Sequence, residues 1–162
     1  MRIKIFVVTA MAFALAAIPC LGALGFKGDP LCSPLRTFVA SVKKDESRTL
    51  EFRTSWGTDF KDSPSPGNVF AARRCMFSDY DPARSACDYL MEHGAIEFSG
   101  NNAKRAIVCL APTMRFPSGM SLDRIDVSFY YGTESRGSNV QITFAEDRTI
   151  GGMVLTIKAD GY

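Results

Sequence analysis

The sequence predicts an α+β domain: an antiparallel sheet ending in a three-stranded meander, two short helices on one face, and two disulfides. Three observations carry that expectation. The C-terminal stretch alternates apolar and polar residues in three successive runs. Two Ser/Asp-Pro starts each open an amphipathic stretch of helical period. Four cysteines follow an N-terminal export signal, an even count that suits an oxidising destination.

The chain has 162 residues, 46% apolar and 22% charged, an ordinary globular composition sized for one domain. Arg2 and Lys4 precede an apolar run from Ile5 to Ile18, and small residues follow at Gly22, Ala23 and Gly25. That order is a secretory signal. Residues 1–23 are expected to be removed, with the cut between 22 and 25, leaving a single domain over 24–162. Two alternatives keep the N-terminus on a membrane: an uncleaved apolar anchor, which Pro19 and Gly22 interrupt, or lipidation of Cys20, for which Pro19 is a poor neighbour. Taking Arg2 and Lys4 from the 19 basic residues leaves 17, against 17 acidic ones. So balanced a charge argues against a nucleic-acid partner.

Ser33-Pro34 starts a helix over 33–44, with Leu35, Phe38, Val39 and Val42 at helical spacing. Arg48 to Thr54 alternates as a half-buried strand, Leu50 and Phe52 inward, Glu51 and Arg53 outward. Residues 55–68, SWGTDFKDSPSPGN, read as a long loop. Val69 to Phe77 reads as a strand. Asp81-Pro82 opens a second helix that places Ala83, Ala86, Cys87 and Leu90 on one face and stops at Gly94. Ala95 to Ser99 reads as a short strand, Gly100-Asn101-Asn102 as a turn, and Lys104 to Leu110 as its return. After the Pro/Gly connection of 111–121, the meander strands centre on Ile125 to Tyr131, Val140 to Phe144 and Met153 to Ile157.

Cys32, Cys75, Cys87 and Cys109 remain after the signal is removed. A Pro-x-Arg helix followed by a Glu-Phe strand occurs twice, at Pro34 and Pro82, and each unit holds two cysteines. Pairing within units is therefore expected: Cys32 with Cys75, and Cys87 with Cys109. No C-x-x-C pair suggests a metal site.

Catalytic signals are thin, and neither a cofactor nor catalytic activity is expected. His93 stands before the Gly94 stop, where a cation suits the helix dipole. Ser41-Val42-Lys43-Lys44 matches S-x-x-K without the companion motifs that chemistry needs. Glu51 and Glu97 are the carboxylates that would serve an exported hydrolase, if they stood side by side in a cleft. Binding residues are better represented. Trp56 and Phe60 lie in the Pro/Gly loop, Tyr130 falls on the wet face of the meander, and Glu134 and Arg136 occupy the turn after it. These features point to a periplasmic or secreted binding or inhibitor protein. One example of that class is an immunity protein, whose 55–68 loop would enter the active site of a secreted toxin or hydrolase. The alternatives are the carboxylate hydrolase and an envelope-anchored structural protein.

Overall fold

In the computed structural model, which describes residues 28–64 and 67–162, five strands pair antiparallel in the order β2-β1-β5-β4-β3. They are β1 (Ser47–Trp56), β2 (Ala71–Met76), β3 (Ile125–Thr133), β4 (Arg136–Glu146) and β5 (Met153–Gly161). Three helices, α1 (Cys32–Ser41), α2 (Asp81–His93) and α3 (Gly100–Leu110), cover one face. The expected export signal and Cys20 lie outside the described residues.

Strand alternation sorts the two faces. Leu50 and Phe52, Leu155, Ile157 and Ala159, and Val140, Ile142 and Phe144 point towards the helices and are buried. Leu35, Phe38 and Val39 of α1, Leu90 of α2 and Ile107 of α3 complete that core. The other face carries Glu51 and Arg53, Thr156 and Lys158, Gln141 and Thr143, and Ser128 and Tyr130, and none of the described helices lies over it.

The meander and the first two helices match their sequence signals, whereas residues 95–110 do not. The expected hairpin is instead a turn leading into α3. Ala103, Ala106, Ile107 and Leu110 fall at helical spacing and are all buried. In so short an apolar run, helix and buried strand share one signature, and tertiary packing decided it. Asn102 lies in the first turn of the helix, where a tight turn was expected. Its buried amide accepts from the N–H of Ala95 at 2.9 Å and donates to the C=O of Ala95 at 2.7 Å, closing the α2–α3 connection. Arg105 braces the other side of α3, donating to both carboxylate oxygens of Asp29 at 2.5 and 2.7 Å. These hydrogen bonds hold the Asp29 carboxyl below its ordinary pKa.

The disulfides join Cys32 to Cys109 and Cys75 to Cys87, so the expected pairing within repeated units is wrong. The physical reason is α3. Once residues 100–110 are helical, Cys109 arrives at the start of α1 and not on a strand near Cys87. Cys32–Cys109 binds two helices together, and Cys75–Cys87 fastens α2 to the outer strand β2. Two such bonds point to an oxidising, extracellular compartment. Among the described residues no helix is long and apolar enough to cross a membrane.

Candidate functional site

The register gathers five strand termini at one end of the sheet. Trp56 at the end of β1 faces Ala71 at the start of β2. Thr54 faces Met153 at the start of β5, and Met153 faces Glu146 at the end of β4. Ile125 opens β3 opposite Phe144. The last turn of α2 reaches the same end, because Arg73, opposite Thr54, donates to the carbonyls of Met91 and Gly94. α3 starts there too. Its first residues form, with segment 119–123 and Met153, an open cleft of about 570 Å³.

Large exposed apolar side chains collect at this end. Eight are exposed among the described residues, and six of them (Trp56, Val69, Phe70, Met91, Phe98 and Met120) stand here. Trp56 is 47% and Phe70 77% exposed, with their rings edge-on at 4.4 Å. The pair is held by backbone: the N–H of Gly57, whose positive φ turns the chain off β1, donates to the carbonyl of Phe70 at 3.0 Å. Phe98 and Met120 line the cleft with Glu97, Lys104 and Asp123. Lys104 Nζ donates to the Met120 carbonyl at 2.6 Å, fixing the far wall to α3.

Behind the aromatic pair, residues 60–62 are pinned to the open face of the sheet. Phe60 is 2% exposed and lies outside the main core cluster, under the Arg74 guanidinium at 4.7 Å. Arg74 also pairs with Asp62 at 2.6 Å. The N–H of Lys61 donates to Ile150 and its Nζ to the Arg148 carbonyl. Next to Arg74, Arg53 is only 6% exposed and is clamped between Glu51 at 2.5 Å and Asp147 at 2.6 Å. Burial opposes the Arg53 charge, and the bonds to Asp147 and Glu51 outweigh it, raising its pKa. The same bond to Arg53, with the backbone N–H groups of Ile150 and Thr149, lowers the Asp147 carboxyl to about 2.

The five residues expected to bind do not converge. Trp56 stands at the apolar end. Phe60 is no surface anchor: the segment that carries it folds back and buries it, a correction that sequence position alone would not reveal. Tyr130 is 81% exposed on the open face, edge-on to Tyr162. Glu134 and Arg136 sit in and beside the β3–β4 turn, at the opposite end of the sheet. Nor do Glu51 and Glu97 meet. Glu51 is on the open face with Arg53, whereas Glu97 belongs to the α2–α3 connection on the helix side and not to a strand. The exposed His93 has Glu92 at 3.6 Å and the Tyr89 ring at 4.7 Å. Among the described residues no group of three His, Cys, Asp or Glu side chains is placed to hold a metal ion.

Phe70, Phe98 and Met120 were missed by sequence reasoning. Each lies within three residues of Gly67, Gly100 or Gly119, but Phe70 and Phe98 fall inside stretches read as strands, 69–77 and 95–99, which concealed their exposure. Comparison with protein-family models, with curated proteins and with solved structures finds no match to this chain.

Proposed function

We propose that this chain is an exported binding or inhibitor protein, acting in the periplasm or outside the cell, that seizes a protein partner with its apolar end. The gathering of Trp56, Phe70, Phe98 and Met120 in one exposed region carries the reading. Monomeric proteins seldom leave large apolar side chains together in water, and aromatic, Met and Arg side chains are what interface centres favour. The region also stands on a cross-linked frame, so little ordering would oppose binding. A secreted toxin or hydrolase suits such a partner, with the chain as its immunity protein. The aromatic pair and the adjoining cleft, not the pinned residues 60–62, would make the contact.

The test is capture from periplasmic extract on the immobilised chain, followed by affinity measurement with the partner identified. Trp56→Ala combined with Phe70→Ala should weaken binding by at least about thirtyfold, the scale of an interface hot spot. Tyr130→Ala should leave it unchanged. Full retention by the double variant would place the contact elsewhere and end this reading.

A further inference from the structure

The two edges of the sheet are built differently. β2 is six residues long, carries Arg73 and Arg74, and is fastened to α2 through Cys75. Short, charged edges of that kind resist pairing with another chain. β3 is nine residues long, IDVSFYYGT, with one charge and no proline. Its register with β4 runs from Ile125↔Phe144 to Thr133↔Arg136 without a bulge. Its outer edge has no partner among the described strands. Ile125, Val127, Phe129 and Tyr131, on its helix side, are only half-buried.

We infer that β3 pairs antiparallel with β3 of a second copy of this chain, doubling the five-stranded sheet about a two-fold axis through Phe129. An axis perpendicular to the sheet keeps both helix layers on one side, so apolar rows meet apolar rows. Full overlap of the two strands sets Phe129 against Phe129 of the second copy. Val127 then meets Tyr131, Ser128 meets Tyr130, and Asp126 meets Gly132. Beyond the strand, Arg124 falls opposite Glu134 of the second copy, and the symmetry makes that pair twice. Both residues are exposed, and neither forms an ion pair with a described residue. Neighbouring registers lose this match. Sliding by one step of the pleat towards the turn opposes Asp126 to Glu134, which repel, and carries Arg124 past the end of β3 to where the chain has already turned into β4. Sliding the other way leaves Arg124 opposite Gly132. Charge complementarity thus selects the register of full overlap.

Sedimentation equilibrium of the exported chain, from about 1 to 100 µM, tests this in the range where a modest edge interface associates. A monomer–dimer equilibrium is expected. Arg124→Glu and Glu134→Arg should each raise the dimer dissociation constant about tenfold, since each turns two attractions into two repulsions. The double variant should return to within about threefold of the parent, a rescue that general damage to the fold would not give. Circular dichroism melts of the single variants should match the parent, as both sites are exposed. A chain that stays monomeric throughout overturns the inference. So does a dimer indifferent to both single exchanges; loss of that dimer in Trp56→Ala/Phe70→Ala would assign it to the apolar end.

Discussion

The two disulfides should differ in what they contribute to stability, and the difference can be worked out from the chain they enclose. Cys75–Cys87 spans 12 residues and Cys32–Cys109 spans 77. Loop-closure entropy in the unfolded chain then gives about 3 kcal/mol for the first and about 4.5 kcal/mol for the second. Each bond joins one buried cysteine, Cys87 or Cys109, to one half-buried cysteine, so the packing lost on replacement by alanine is similar and largely cancels. Cys32→Ala/Cys109→Ala should therefore lose about 1.5 kcal/mol more than Cys75→Ala/Cys87→Ala. Urea melts of the two double variants measure this; with a slope of about 1.5 kcal/mol per molar, the midpoints should separate by about 1 M. Equal losses, or the reverse order, would mean that the unfolded chain already holds Cys32 near Cys109 and that the entropic reasoning fails. The pairing itself is tested by Cys32→Ala alone, which must expose a thiol at Cys109; a thiol at Cys75 would refute it.

Asp147 carries a pH dependence. Its carboxyl is depressed to about 2 when folded, so its contribution is complete above the unfolded value near 3.9 and is lost as pH falls from about 4 to 2. Arg53→Met should flatten that part of the stability profile, read by thermal melts at closely spaced pH values. Phe60→Ala should cost about 3 kcal/mol and open residues 57–62 to proteolysis, whereas half-exposed Trp56→Ala should cost below about 1 kcal/mol; equal costs would contradict their different burial. Gly94→Ala should destabilise strongly, because a Cβ there would lie 2.4 Å from the Leu90 carbonyl and 2.5 Å from the Phe52 ring. A melting temperature unchanged by that substitution would show that α2 ends differently.

What could be read in advance was local. The meander was legible because each of Val127, Ile142 and Leu155 sits in a run whose neighbours alternate, and period 2 needs no knowledge of the rest of the chain. Both proline starts were legible for the same reason. Residues 104–110 were not, because AIVCL fits a strand and a helix equally until α1 and β4 receive it. Arg53 looked like a solvated residue on a polar face and became buried through a segment that lands on it from elsewhere. The Trp56 end was hidden for a related reason: it is assembled from five strand termini and two helix ends, none of which is anomalous alone.

The nesting of one bond inside the other has a consequence for how the chain is made. A polypeptide delivered N-terminus first to an oxidising space, and relieved there of the expected signal with Cys20, would present Cys32 and Cys75 as its first two thiols, long before Cys109 emerges. Oxidation in order of appearance would trap Cys32–Cys75, which is not the native bond. Maturation then requires thiolate attack on that misjoined pair. Yield in a heterologous host should accordingly be limited by the supply of disulfide isomerase more than by that of oxidant.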